Sequence, residues 1–164
     1  MHSPRALNLL PSEGMHGNSV RHRSPCMNRI LVVDDAATVR MYHRKVLGDA
    51  GWHIDEASNG VEALELVHAQ KGTEVFDLYV VDVNMPRMDG YCFVRELRKL
   101  DARHQAPVVM VSTEAASHDA SAAFDAGANG YLIKPARPPD LVLTAALLLG
   151  DRDAALKAAE GIKP

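Results

Sequence analysis

Residues 78–90, LYVVDVNMPRMDG, decide the fold that this sequence predicts. The stretch opens with a run of apolar and aromatic residues, reaches an acid at Asp82, and continues into a loop with proline and glycine. A continuous run of this kind is typical of a parallel strand that is buried on both faces. Phe93, Val94 and Leu97 then follow at helical spacing. The stretch therefore predicts a strand, a loop and a helix in immediate succession.

Four other segments repeat this arrangement along the chain. Apolar or alternating runs occupy residues 30–33, 52–57, 107–111 and 130–133, and helical spacing follows each of them. Strands that alternate with helices through short links predict an α/β fold. We therefore expect a five-stranded parallel sheet that is covered by helices on both faces.

The composition is that of a soluble globular protein. The chain has 164 residues, a mass of 17.8 kDa, 47% hydrophobic residues and 24% charged residues. Its formal net charge of −3 argues against a dedicated nucleic-acid binder. The longest nearly apolar run, residues 141–149, is about half a membrane span, so we expect no membrane partner. Cys26 and Cys92 fit neither a metal motif nor a disulfide framework, which predicts a cytoplasmic protein.

Three segments of the chain differ in composition. Residues 1–27 contain many serines, prolines and glycines and carry a net charge of +2, so we expect a disordered extension. This extension could be a basic arm for a partner or an incidental addition, and Met27 could be the start of translation. Residues 28–150 form the predicted domain. Residues 151–164 have a helix-forming composition and are expected to be a C-terminal tail.

Polar side chains close four of the predicted strands. They are Asp34 and Asp35 after the first strand, Asp82 after the third, Ser112 and Thr113 after the fourth, and Lys134 after the fifth. The carboxyl ends of parallel strands lie at one edge of a sheet, where open α/β sheets bind their ligands. We therefore expect these side chains to share one crevice.

The acids of this crevice predict a metal site. Three carboxylates in one place repel one another unless a cation neutralises them. Mg²⁺ prefers oxygen ligands and retains water molecules, so it suits this set. The predicted ligands are Asp35, Asp82 and the backbone carbonyl of Asn84, with Asp34 acting through water.

A phosphoryl group also fits the predicted crevice. Lys134 and the Ser112 hydroxyl are matched to its anionic oxygens. Asp82 is then a plausible nucleophile, because carboxylates form acyl phosphates by in-line attack.

Four motifs, ILVVDD, VVDVNMPRMDG, VVMVST and YLIKP, resemble in order and spacing the receiver domain of bacterial response regulators, in particular the CheY type. The resemblance covers residues 28–149. It implies a doubly wound, flavodoxin-like sheet with strand order 2-1-3-4-5. It also implies that Asp82 is the phosphoacceptor, that Asp34 and Asp35 form the metal-binding acidic pair, and that Lys134 precedes a cis-proline.

The resemblance extends to residues around the phosphoacceptor. Ser112 takes the place of the family's switch hydroxyl, and Tyr131 matches the aromatic residue whose ring turns inward when that hydroxyl moves. Asn84 and Glu114 match positions that tune hydrolysis of the phosphoryl group. The positions that depart from the family in side-chain size are Ala36, Thr113 and Ala136. Thr113, which is larger than usual beside the switch hydroxyl, could hinder access to the phosphoryl group.

The last strong helical pattern is apolar on more than one face. Leu141, Ala145 and Leu148 form the stripe that is expected to face the sheet, yet Val142, Leu143 and Leu147 are apolar as well. An apolar surface of this kind indicates burial or an interface. We expect the face made by the fourth helix, fifth strand and fifth helix to bind a second copy or an effector. The alternative is that residues 151–164 fold back and cover it.

The predicted function is a single-domain phosphorylation switch. We expect its donor to be a phosphohistidine on a sensor histidine kinase or a histidine phosphotransfer protein, with Mg²⁺ required, and its output to be phosphorylation-dependent protein binding. Control of a flagellar motor and relay to another histidine protein both stay open. His43, His53, His68 and His104 lack metal-ligand spacing and are expected on solvated surfaces.

Two other functions compete with this prediction. An aspartyl-phosphate phosphatase of the haloacid dehalogenase type needs a second aspartate two residues after its nucleophile. Ala36 and Asn84 stand at the corresponding positions after Asp34 and Asp82, which argues against it. A non-phosphorylated scaffold with the same fold has no chemical need for Asp35, Asp82 and Lys134 together.

Overall fold

Strands and helices alternate along the residues that this computed structural model describes, 27–72 and 74–162. The predicted extension at residues 1–27 lies outside them except for Met27. The elements are β1 (Arg29–Val33), α1 (Ala37–Asp49), β2 (His53–Ala57), α2 (Gly60–Ala69), β3 (Leu78–Asp82), α3 (Gly90–Arg98), β4 (Val108–Ser112), α4 (Ser117–Ala126), β5 (Gly130–Ile133), α5 (Pro138–Leu149) and α6 (Arg152–Glu160), with a 3₁₀ turn at Ala102–His104.

The five strands form one parallel sheet in the order β2-β1-β3-β4-β5, which confirms the predicted fold. The order changes direction at β1, so β1 and β3 are neighbours. In the register, Val33 lies opposite Val81, and Ser112 lies opposite Ile133. The strands therefore end close to one another at a single edge of the sheet.

Alternate residues of each central strand face different halves of the core. Leu31 and Val33 pack on the side of α2, α3 and α4, whereas Ile30 and Val32 pack on the side of α1 and α5. Both halves are apolar and buried, which explains the uninterrupted apolar runs of β1, β3 and β4. Burial of each such side chain contributes about 1.5–3 kcal/mol relative to exposure.

Two of the four histidines contradict the expectation that they are solvated. His43 on α1 is 2% exposed and His104 is 4% exposed, whereas His53 and His68 are exposed. Burial lowers the pKa of both His43 and His104, because the charged imidazolium is disfavoured away from water. Both are therefore favoured as neutral core residues.

The segment after α5 forms a further helix. Gly150 adopts a left-handed conformation with φ 72°, which lets the chain turn from α5 into α6. The Asp151 backbone N–H donates to the Ala146 carbonyl at 2.9 Å, and the Asp151 side chain caps α6 at Ala154. The Trp52 indole N–H also donates to the Asp151 carboxylate at 3.0 Å. These bonds fix α6 against α5 and the start of β2.

The position of α6 corrects part of the prediction for the last helix. Val142 does not belong to the face with α4 and β5, because it borders a groove that α6 helps to form, and Ala146 is fully buried. One residue of an α-helix turns the side chain by about 100°, which separates Val142 from Leu143. Leu143 is half-buried and Leu147 is 66% exposed. The covering alternative thus applies to the Val142 side of α5, and Leu147 remains open.

Helices long and apolar enough to cross a membrane are not found among the described residues.

Candidate functional site

Two strand ends bring three carboxylates together. Asp34 and Asp35 follow β1 directly, and Asp82 is the last residue of β3, the neighbouring strand. Carboxylate oxygens of the three residues lie within 4.8 Å of one another. Asp34 and Asp82 are buried, whereas Asp35 is exposed. The site therefore opens to solvent on the side of Asp35.

The ammonium of Lys134 joins two of these acids. Its Nζ atom lies 2.7 Å from Asp34 Oδ2 and 2.8 Å from Asp82 Oδ1. The residue follows β5, and its backbone N–H donates to the Ser112 carbonyl at the end of β4. The peptide bond between Lys134 and Pro135 is cis. The fifth strand thus delivers its lysine to the edge that carries the acids.

Burial and charge act on the site in opposite directions. Burial raises the pKa of Asp82, and the neighbouring charges of Asp34 and Asp35 act in the same direction, while Lys134 opposes them. For Lys134, burial acts to lower the pKa, but the hydrogen bonds and charges of Asp34 and Asp82 outweigh it, so the pKa is raised. The lysine therefore remains a cation that offsets part of the negative charge.

Ser112 and Tyr131 are linked through the backbone of Glu114. The Glu114 N–H donates to Ser112 Oγ at 3.1 Å, and Tyr131 Oη donates to the Glu114 carbonyl at 2.9 Å. Ser112 is fully buried, whereas Glu114 is exposed and Tyr131 is half-buried. The backbone of one residue in the β4–α4 loop, Glu114, therefore connects the serine hydroxyl to the tyrosine.

The loop after β3 is held close to the strand. The Gly90 N–H donates to the Val83 carbonyl at 2.9 Å, and a Cβ at position 90 would collide with the Asp82 carbonyl, so only glycine fits there. Asp89 caps α3 through the Cys92 N–H. Asn84 is exposed within this loop, on the chain just beyond Asp82.

Sequence reasoning missed the part that α1 plays at the site. Arg40 Nη1 donates to the Asp34 carbonyl at 2.7 Å and to the Asp35 carbonyl at 3.2 Å. Tyr42 Oη donates to the Ala136 carbonyl at 2.8 Å, two residues after Lys134. The only sequence signal was an arginine within two helical turns of the acidic pair, which many helices contain.

A small cavity borders the site between α1 and the loops after β4 and β5. Its volume is about 350 Å³, and its lining includes Val39, Thr113, Lys134 and Ala136. Thr113, the residue expected to hinder access to the phosphoryl group, is exposed and lines the wall of this cavity.

The donor set fits a hard divalent cation. Mg²⁺ is bound by carboxylate oxygens together with water, and three carboxylates within reach of one another supply such ligands. Asp35, which is exposed and makes no ion pair within residues 27–72 and 74–162, leaves its carboxylate available to a cation. The buried acids, by contrast, are already shared with Lys134.

Comparison with known proteins finds matches over the part of the chain that contains the site. The sequence model of the family described as response regulator receiver domain matches residues 30–146. The chain is 34% identical over 126 residues to chemotaxis protein CheY1 of Helicobacter pylori, covering 76% of this chain and 99% of that protein. It is also 34% identical over 118 residues to the sensor histidine kinase CheAY of the same organism, covering 72% of this chain but only 14% of the kinase.

Solved structures share the fold. The chemotaxis response regulator CheY4 of Vibrio cholerae superimposes with a TM-score of 0.68 at 32% identity, covering 75% of this chain and 99% of that chain. A putative response regulator from Chloroflexus aurantiacus superimposes with a TM-score of 0.70 at 31% identity, covering 76% of this chain and 99% of that chain. In both comparisons nearly the whole of the other chain is matched.

Proposed function

Because this chain belongs to the receiver domain family of response regulators, and is a CheY-like receiver of two-component signalling, we propose that it is a switch that is phosphorylated on Asp82. The observation that carries the proposal is the ammonium of Lys134 between Asp34 and Asp82, with Asp35 exposed beside them. In this proposal these groups supply the nucleophilic carboxylate, the cation and the metal-binding acid.

The proposed reaction transfers a phosphoryl group from a phosphohistidine. An Asp82 carboxylate oxygen attacks phosphorus in line, and the bond between phosphorus and the donor imidazole breaks. The imidazole nitrogen keeps the electron pair and takes a proton from solvent. The product is an acyl phosphate on Asp82 and a free histidine on the donor, a sensor histidine kinase or histidine phosphotransfer protein.

Asp34, Asp35, Asp82 and the Asn84 carbonyl are the residues that would hold Mg²⁺. When bound, this ion offsets negative charge on the carboxylates and on the phosphoryl oxygens. Lys134 contributes a second positive charge from within the protein. Its ammonium must then give up part of its contact with Asp82 and move toward the phosphoryl oxygens.

The response to phosphorylation passes through Glu114 in this proposal. The phosphoryl group attracts the Ser112 hydroxyl, which breaks its bond with the Glu114 N–H. Movement of the Glu114 peptide then releases Tyr131 Oη from the Glu114 carbonyl, so the ring can turn inward. Asn84, Thr113 and Glu114 border the phosphoryl group and set its rate of hydrolysis.

The proposed output is binding of a second copy or an effector at the face of α4, β5 and α5. Three large apolar side chains on these elements are at least half exposed: Phe124 at 52%, Ile133 at 50% and Leu147 at 66%. Exposed apolar surface of this extent suits a protein interface. The cytoplasm, where a soluble kinase domain would meet the switch, is the proposed location. Motor control and relay remain alternative outputs.

Phosphorylation by a small donor tests the proposal. After incubation with acetyl phosphate and Mg²⁺, intact mass spectrometry should find one added phosphoryl group on the wild-type protein. The label should be absent in Asp82→Asn and without Mg²⁺. The matched control is Asp89→Asn, which makes the same chemical change in the same loop and preserves a cap residue.

Two results would contradict the proposal in different ways. Catalytic release of phosphate from many donor molecules without accumulation of label would favour a phosphatase. No label on folded wild-type protein at saturating donor and Mg²⁺ would favour a scaffold. Lys134→Ala should keep part of the labelling, because the metal still offsets negative charge, and should lose the downstream binding response, because the contact between the lysine and the phosphoryl oxygens is gone.

A further inference from the structure

A groove lies along the last two helices of the described chain. It runs between α1 and the pair formed by α5 and α6, and its volume is about 920 Å³. We call it the α1–α6 groove, and the apolar residues that line it include Tyr42, Val46, Ala50, Val142, Ala154 and Ala158. Pockets of about 300–1,000 Å³ bind drug-sized ligands, so the groove has room for a short peptide.

The N-terminal segment of this chain contains an apolar stretch of suitable length. Residues 6–10, ALNLL, are the densest apolar run among residues 1–26 and lie between Pro4 and Pro11. Burial of leucine side chains away from water is favourable, so such a run favours contact with an apolar surface within reach.

The start of the described chain lies near one end of the groove. The Asn28 carbonyl accepts a hydrogen bond from the His53 N–H, and Trp52 donates to Asp151, which lines the groove. Sixteen residues, 11–26, separate the apolar run from Met27. A chain of that length spans at most roughly 55 Å when extended, so the groove is within reach.

Charge also matches the segment to the groove. The acids at the groove are Asp49, Asp151 and Asp153, against Lys45 and Lys157. Lys45 is paired with Asp49 at 2.7 Å, whereas Asp153 has no ion pair among the described residues. The segment of residues 1–26 carries +2, and Arg5 directly precedes its apolar run. An arginine at the end of the run can therefore pair with an acid of α6.

We propose that residues 6–10 of the same chain bind in the α1–α6 groove, with Arg5 at Asp153. This interaction does not depend on the phosphorylation chemistry proposed above. It closes the apolar groove with a segment that is covalently tethered, which raises its effective concentration far above that of a free peptide.

Hydrogen exchange of the full-length protein tests this binding. In Leu7→Ser/Leu9→Ser/Leu10→Ser, amides of α6 should exchange about tenfold faster than in wild type, because a bound segment no longer stabilises the packed position of α6. Val20→Ser, which removes an apolar side chain outside the run, is the matched control and should leave the exchange unchanged. A synthetic peptide of residues 4–11 in excess should restore slow exchange in the triple variant.

Charge reversal gives an independent measurement. Arg5→Asp and Asp153→Arg should each speed exchange of α6, and the double variant should recover most of the wild-type protection. Equal α6 exchange in wild type and the triple variant would overturn the proposal. So would protection that rises with protein concentration, since that result assigns the bound segment to a second copy.

Discussion

At the scale of single residues, the arrangement of Lys134 between Asp34 and Asp82 has an energetic cost as well as a chemical use. Two of the acids are almost fully buried, and one lysine cannot neutralise both. Charges that are withdrawn from water without full compensation destabilise a folded protein. The site therefore lowers the stability of the folded protein, but it holds the charges in the arrangement that the proposed phosphorylation uses.

Removing the charge of Asp82 should stabilise the metal-free protein. Because its folded pKa is raised, the ionised carboxylate disfavours the folded state at neutral pH, and this cost disappears as pH falls below the ordinary value of 3.8. Urea unfolding at pH 7 should show Asp82→Asn more stable than wild type. The gain should shrink toward pH 3.8. A variant less stable than wild type at neutral pH would contradict this reading of the site.

Arg40 should matter to the acidic pair more than its neighbour Arg44. Arg40 contacts the carbonyls of Asp34 and Asp35, whereas the exposed Arg44 contacts only Glu56 among the described residues. Arg40→Ala should cost about 1.5–3 kcal/mol in unfolding free energy, because it removes charge-assisted hydrogen bonds. Arg44→Ala should change it by less than about 1 kcal/mol. Equal losses in the two variants would show that Arg40 acts only as one more surface charge.

At the scale of the elements, the strands were predictable and several side-chain environments were not. β3 and β4 are buried throughout, so their apolar runs gave both their position and their parallel arrangement. The acids and the lysine lie together because the carboxyl ends of parallel strands share one edge of the sheet. The burial of His43 could not be foreseen, because it depends on how closely α1 approaches the sheet. The same packing of α1 against the sheet determines which backbone carbonyls the Arg40 and Tyr42 side chains contact.

The bond from Tyr42 to Ala136 joins α1 to the loop that follows Lys134. Tyr42→Phe keeps the ring and removes only the hydroxyl that donates at 2.8 Å. We expect a loss of about 1 kcal/mol in unfolding free energy, together with slower labelling of Asp82 by acetyl phosphate. Tyr91→Phe is a suitable control, since its hydroxyl makes a longer bond, 3.3 Å, to Asp119. Unchanged labelling in Tyr42→Phe would mean that the loop after β5 positions Lys134 without the hydrogen bond from α1.

At the scale of the whole molecule, the described chain carries two kinds of surface on its last two helices. α6 covers the side of α5 that includes Val142 and Ala146, whereas Leu147 stays open. The sequence showed that α5 was apolar around its circumference, but both an interface and a covering tail were compatible with that pattern. The covering tail applies to the Val142 side, whereas an interface stays a proposal for the Leu147 side, and only the packed position of α6 separates the two.

Self-association should depend on Leu147 and not on Leu156. Both side chains are 66% exposed, the first on α5 and the second on α6. In sedimentation velocity at high protein concentration with acetyl phosphate and Mg²⁺, the wild type should show a dimer that Leu147→Glu abolishes. Leu156→Glu should leave it intact. Dimers that survive Leu147→Glu would move the interface away from the face of α4, β5 and α5.

Trp52 is an intrinsic fluorophore, and its contact with Asp151 makes it a reporter of the position of α6. The chain has a single tryptophan, and its indole N–H donates to the carboxylate of Asp151, the residue that caps α6. It precedes β2, at the end of the sheet opposite the acids. Its emission will therefore change when α6 detaches and stay constant when chemistry occurs at Asp82. Detachment of the last helix can thus be followed optically in the unlabelled protein, separately from events at the other edge of the sheet.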